Sequence, residues 1–433
     1  MSKKYLEIQP NNVPASGKLS YKNGNPILTF TFGRQNAWLD LKTLRVSGLL
    51  NIWADAAGTT HPSGADAPNL MASQKLGIYG CMEQVIFRHA ETKQVAEHIR
   101  HYGRFMASYL PCLAGTQDQI GHLSESNLIM PNQDCFQRSV IYNTLASSWC
   151  PSLPTGLTLG GGALPLNQFP LEVEIHLTPD SQFFYSKDGT TTGLLNAFYE
   201  LSDLRVTAEV SIPPSMDNKE GIFSFNSITS YFSTLESTNS IINYNLALHK
   251  VLGAFVNFIP STYINNLTQD GYLTYMPAQT GGALANLKTI SFLRNGERFP
   301  YHFENNTNFN NTTAGNNTTD VVDSQNIKTF LSAIIPEYAH HRSSISPANC
   351  NRNFNAAATA SAANYRNIPE GGANWGVGVL YDMLDSEGVD FSNAQFSIQM
   401  TNTLDDGNPC SAYLFIKHKT TIVYNENGVQ VIS

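Results

Sequence analysis

The chain has 433 residues, with 34 acidic against 26 basic side chains and a net charge of −8. A protein that grips nucleic acid neutralises phosphates with a basic face; the only basic cluster at an end is Lys3-Lys4, which argues against such a grip. Charged residues are only 14% of the chain, below the usual ~25%. Asn, Thr, Ser, Gly and aromatic residues fill the deficit, and they suit strands, turns and surfaces that neighbours cover.

Length alone predicts two or three domains. The first clear element is Leu39–Trp53, where Leu44, Val46, Gly48, Leu50 and Ile52 alternate with the period of a strand. Thr92–Leu110 has helix-like spacing interrupted by Gly103, so a short or kinked helix is expected there. Leu171–Leu177 alternates apolar residues with Glu172, Glu174 and His176, and predicts a strand with one buried and one polar face. Leu204–Ile212 alternates again and stops at Pro213-Pro214.

The stretch 213–221 is the best linker in the chain. It divides the sequence into 1–212 and 222–433. In the second part, Ile327–His341 has helical spacing broken by Pro336. Strands follow at Ala394–Met400 and Tyr413–Tyr424, then an Asn-Gly turn and a last short strand, Val429–Ile432. Each half ends as strand, excursion, strand, which predicts two all-β domains with few short helices.

His61–Ala72, Asn305–Asp320 and Asn351–Asn367 read as loops. The second is low-complexity Asn/Thr and holds N-x-[ST] sequons at Asn305, Asn310, Asn311, Asn316 and Asn317; another lies at Asn266. Six scattered cysteines (Cys81, Cys112, Cys135, Cys150, Cys350, Cys410) have no metal-site spacing and are expected as reduced thiols in or near the core. The start has no apolar h-region, so no signal peptide is expected and assembly in a reducing compartment follows. No apolar run reaches the ~18–20 residues of a membrane span.

No nucleophile elbow, P-loop, zincin or dinucleotide motif occurs. Gly160-Gly161-Gly162 lacks the Lys-Ser/Thr of a phosphate loop and reads as a loop. His98 and His101, and the pair His340-His341, lack a third ligand at helical spacing. Asp382, Asp385, Glu387 and Asp390 form a weak acidic loop and Asp405-Asp406 a turn, neither with the ligand pattern of an EF-hand. Catalytic, cofactor-binding and metal-ligating residues are all expected to be none, and no cofactor is expected. Two rival readings stay open. One is a glycan-binding β-sandwich of lectin or viral-fibre type with an aromatic platform; the four tryptophans, Trp38, Trp53, Trp149 and Trp375, are dispersed. The other is a polysaccharide hydrolase using paired carboxylates from Asp382, Asp385, Glu172 and Glu174.

FTFGRQNAWLDLKTLRVSGLLNIW (Phe30–Trp53), with its Leu39-Asp40-Leu41 and Thr43 step before a long alternating strand, resembles the first strands of double jelly-roll major capsid proteins. LGIYGCMEQVIFRHAETKQVAE (Leu76–Glu97) is similar to that family's strand and hairpin, and AYLFIKHKTTIVYNENGVQVIS (Ala412–Ser433) to its closing strands. His249–Pro260 and Leu287–Phe303 fit its middle. The nearest flavour is that of polinton-like viruses and virophages, with tectivirus-like coats as an alternative. The resemblance implies two tandem eight-stranded antiparallel jelly rolls with short helices in the loops, and a non-enzymatic structural protein of a tailless icosahedral DNA virus. Homotrimers of pseudo-hexagonal outline in the virion shell are implied too. The implied partners are further copies, neighbouring capsomers, and penton and minor capsid proteins. Sequence-specific nucleic-acid binding is not implied, and an inner membrane stays open.

Overall fold

The computed structural model describes residues 2–61, 70–73, 76–113, 127–128, 147–160, 162–186, 195–213, 220–235, 241–267, 270–274, 289–299, 305–306, 324–343, 376–381, 387–401, 410–425 and 428–433. Between Ser2 and Ile212 run the main strands β1 (Ser2–Ile8), β2 (Ile27–Phe32), β3 (Trp38–Trp53), β4 (Met82–His89), β5 (Val95–Ile99), β6 (Ser147–Trp149), β7 (Leu171–Leu177) and β8 (Phe198–Ile212). They pair antiparallel in two sheets, β1-β8-β3-β6 and β2-β7-β4-β5.

Between Gly221 and Asn425 the pattern repeats with β9 (Gly221–Leu235), β10 (Ile241–Tyr244), β11 (Val251–Pro260), β12 (Thr289–Arg294), β13 (Glu297–Arg298), β14 (Val377–Leu380), β15 (Phe396–Thr401) and β16 (Cys410–Asn425). The sheets are β9-β16-β11-β14 and β10-β15-β12-β13. In both halves the first strand pairs the eighth, the eighth the third, and the third the sixth. The second, seventh, fourth and fifth make the facing sheet. That order is the jelly roll, and the chain carries it twice. A last strand, β17 (Gly428–Ile432), forms a hairpin with β16.

Alternation explains the cores. Leu171, Val173, Ile175 and Leu177 of β7 are at most 3% exposed and face the other sheet of the first roll. The Leu39-Asp40-Leu41-x-Thr43 step is a bulge in β3. Thr43 Oγ1 donates to the Asp40 carbonyl (2.7 Å) and accepts the Glu209 N–H (2.8 Å), where the pairing with β8 slips between Thr207 and Glu209. The extra residues bend a 16-residue strand without leaving that amide unpaired.

Three expectations need correction. Thr92–Ile99 is no part of a helix: Val95–Ile99 is β5, and the helix α1 runs Tyr102–Leu113. Apolar residues at 95, 99, 102 and 106 fit a helical period, but pairing with β4 satisfies the backbone of the first two. β7 has no polar face open to water, because Glu172 and Glu174 are 5% and 9% exposed under a cover of cations. Cys81, Cys112 and Cys410 are buried, whereas Cys150 is exposed; Cys135 and Cys350 lie outside the described residues. In the second half a helix forms at Ser324–Ile334 and ends before Pro336, after which Glu337–Arg342 makes a 3-10 turn. It is named α3, the five-residue Gly156–Gly160 being α2.

Candidate functional site

An extensive set of buried polar contacts lies where the two rolls meet. Glu97 of β5 is 2% exposed. Its Oε1 accepts the N–H of Gly156 (2.9 Å), the N–H of Ile228 (2.7 Å) and the hydroxyl of Ser227 (3.3 Å); its Oε2 accepts the N–H of Leu157 (2.8 Å). Gly156 and Leu157 open α2, while Ser227 and Ile228 belong to β9. One carboxylate of the first roll therefore holds the edge strand of the second. Burial pushes its pKa up, against the pull of the backbone donors. Gly156 has no room for a side chain, since a Cβ there would meet the Asn226 carbonyl at 1.9 Å.

α1 lies between the rolls. Phe105 stands 6.3 Å from Phe255 of β11 and 5.8 Å from Phe415 of β16, centroid to centroid, and Phe255 stacks on Phe415 at 5.0 Å. These aromatics sit on the face of the β11–β16 sheet turned away from the second roll's own core. Polar bonds pin the helix in register: Asn257 Nδ2 donates to Ser108 Oγ (2.8 Å), and the Arg100 N–H donates to Ser230 Oγ (2.9 Å). Farther along, the Ser73 hydroxyl donates to Asp270 (2.8 Å) and the Tyr272 hydroxyl to the Gly80 carbonyl (3.0 Å).

Arg104, in the first turn of α1, is 1% exposed. Its guanidinium lies 4.5 Å from the Tyr272 ring and 5.1 Å from that of Tyr413. Among the described residues none of its nitrogens has an acceptor in hydrogen-bonding geometry. Both ring faces attract its charge.

A second ionic cluster covers the outer face of the β2-β7-β4-β5 sheet. Arg88 bonds both Glu172 and Glu174, Lys93 bonds Glu172 (2.7 Å), and His176 Nε2 lies 2.7 Å from Glu174 Oε1. Burial raises the pKa of Glu172, but Lys93 and Arg88 together hold the carboxyl below its usual range. Glu172 and Glu174 are thus the acceptors of a cation cover.

The other sequence candidates disperse. His98 bonds Gln84 (3.0 Å) and burial lowers its pKa to about 4, while His101 stands 3.2 Å from Glu83. Glu387 pairs Lys250 (2.9 Å) and Lys419 (3.2 Å), and Asp390 accepts the Ser392 N–H (2.8 Å). Asp382, Asp385, Asp405 and Asp406 lie outside the described residues, as do Gly161, Trp375, Asn310, Asn311, Asn316 and Asn317. Among the described residues no three His, Cys, Asp or Glu side chains group to hold a metal. Trp53 stacks on His61 at 4.3 Å and Trp149 is 3% exposed, so these two form no common platform. Sequence reasoning missed Glu97 and Arg104 as junction residues; the only signal available was a charged residue inside an apolar run.

No protein-family model matches the chain, and no curated protein matches it in sequence. Solved structures do match. A chain of the Sputnik virophage superposes with a TM-score of 0.57 at 10% identity, over 99% of this chain and 88% of that one. A chain of the PBCV-1 virus capsid gives 0.57 at 10% identity, over 100% and 96%. The Faustovirus major capsid protein gives 0.53 at 7% identity, over 98% and 90%. The chain is a double jelly roll. The match runs across both rolls. At such low identity the shared feature is backbone architecture. No helix among the described residues is long and apolar enough to cross a membrane.

Proposed function

We propose that this chain is the structural, non-enzymatic major capsid protein of a tailless icosahedral DNA virus. The observation that carries the reading is a whole-chain likeness to two structures described as a virus capsid and as a major capsid protein. Residues 1–212 and 222–433 make up the two rolls, and 213–221 joins them, Gly221 being already the first residue of β9. Three copies place six rolls around a closed ring, giving a pseudo-hexagonal capsomer. The junction is what makes this work, because a capsomer of fixed outline needs the two rolls of each copy at one fixed angle.

The edges support the reading. Among the described residues β1 pairs only with β8, and its outer edge, with Lys3, Lys4 and the 72%-exposed Tyr5, stays open. The corresponding edge of β9 is capped inside the chain by Glu97. In the trimer the open edge is covered by the next copy. The further partners are neighbouring capsomers, penton and minor capsid proteins, and an inner membrane where the virion has one; the acidic chain leaves nucleic acid ungripped. The capsid is its location, with assembly inside the host cell.

Light scattering on the purified chain tests this. A trimer that survives dilution is expected, with hexagonal outlines by electron microscopy. A chain that stays monomeric at high concentration overturns the reading.

A further inference from the structure

Two Asn-Gly pairs lie wholly within the described residues, and the fold holds them differently. Asn23-Gly24 ends the turn Tyr21–Gly24, between the short strand Lys18–Leu19 and β2. Asn295-Gly296 is the loop between β12 and β13, where Arg294 pairs with Glu297. Both glycines have positive φ, +77° and +82°, and a Cβ on either would meet nothing within 4 Å. Space at the glycine is therefore equal, and the asparagines make the difference.

Asn295 is pinned. Its N–H donates to the Gln395 carbonyl (2.9 Å), and its Oδ1 accepts the Gln395 N–H (2.9 Å). Asn23 is exposed. Its N–H donates to Ser20 Oγ (3.0 Å), and among the described residues its carboxamide has no hydrogen-bond partner. The Gly24 N–H donates to the Tyr21 carbonyl at 3.2 Å, the long end of the hydrogen-bond range. An exposed turn closed by such a bond opens locally at little cost. With no side chain on Gly24, nothing then stands between its nitrogen and Cγ of Asn23.

We propose that Asn23 is a self-modifying site, where the turn converts its own amide into a carboxylate. Hydroxide takes the proton of the Gly24 N–H, and the nitrogen attacks Cγ of Asn23. The N–Cγ bond forms, the Cγ–Nδ2 bond breaks, and ammonia leaves a succinimide ring. Water then adds to one of the two ring carbonyls and opens the ring, leaving aspartate or isoaspartate. One water is consumed and one ammonia released. Asn25, also exposed, is spared because Pro26 has no N–H to supply the nucleophile. The product adds one negative charge beside Lys22, whose ammonium lies 4.5 Å from the Phe198 ring. The inference stands on the turn alone and does not require the capsid reading.

The test holds the full chain at mildly alkaline pH and follows it by peptide mapping with mass spectrometry. Enzymatic carboxyl methylation reads isoaspartate separately. In the folded chain, position 23 should gain the amide-to-acid mass at a rate proportional to hydroxide, while Asn25 and Asn295 stay unchanged. In urea, where the Gln395 bonds are gone, Asn295 should react as fast as Asn23. Gly24→Ala should slow the reaction at 23 in both states. Absence of reaction at 23 in the folded chain, or equal folded rates at 23 and 295, overturns the proposal. So does an acid product without isoaspartate, which would mean direct hydrolysis of the amide.

Discussion

α1 and α3 hold the same place in their rolls, between the fifth and sixth strands, yet they are buried differently. Eleven of the twelve residues of α1 are buried, Gly103 and Arg104 included, because it is covered by the first roll on one side and the β11–β16 sheet on the other. α3 buries Phe330, Leu331, Ala333 and Ile334 while Lys328 stays exposed. Phe330 reaches Phe255 at 6.2 Å from the far side. A repeated fold thus becomes asymmetric at its junction: one helix is a wedge between domains and its counterpart a one-sided cover. The difference teaches that topology is set within each roll, whereas the angle between rolls depends on what one connection buries.

The largest expected effect separates the two helices. Phe105→Ala removes a ring shared by both rolls and should cost about 3–5 kcal/mol. It should also split one denaturant transition into two, followed by tryptophan fluorescence. Phe330→Ala should cost a similar amount but keep a single transition. If Phe105→Ala leaves the transition single, α1 does not couple the rolls.

Next comes the clasp. Glu97→Ala leaves three buried N–H groups without an acceptor and should cost on the order of 3 kcal/mol. Glu97→Gln should cost less, because the amide oxygen still accepts. Burial raises the folded pKa above its ordinary 4.5, so the folded chain binds more protons there than the unfolded one. The stability this contributes is present below pH ~4.5 and is lost as pH rises through the raised folded value. Denaturant midpoints of Glu97→Gln should lack that decline.

Histidines contribute in the opposite sense, one in each roll. Burial lowers His98 and His418 to about 4, so their contribution is full above about 6.5, the ordinary value, and is lost as pH falls towards 4. His98→Asn and His418→Asn should each flatten acid unfolding in that window, and His418, bonded to Thr229 at 2.8 Å and nearly fully buried, the more. Equal slopes in wild type and both variants would refute this.

The smallest effect belongs to Arg104. Arg104→Met gives up the two ring-face contacts and should change stability by less than about 2 kcal/mol. A larger loss, measured by denaturant titration, would mean the guanidinium has a polar partner.

Leu171–Leu177 was legible to the residue because its apolar positions face one core at period two. β8 and β16 were underread at their starts, where Phe198–Asp203 and Cys410–Ala412 are ordered by strands distant in sequence. The 95–110 stretch was misread because two short elements in series imitate one helical period. The junction was illegible for another reason. Glu97 looks like any surface glutamate until β9 is brought to it from 131 residues away.

The sequence by itself determined a two-part, strand-dominated, acidic chain, since alternation, turns and composition act over a few residues. Only the tertiary structure decided which charges are buried, which edge is covered and how the rolls face one another. Those depend on partners chosen by three-dimensional packing, which no local pattern encodes.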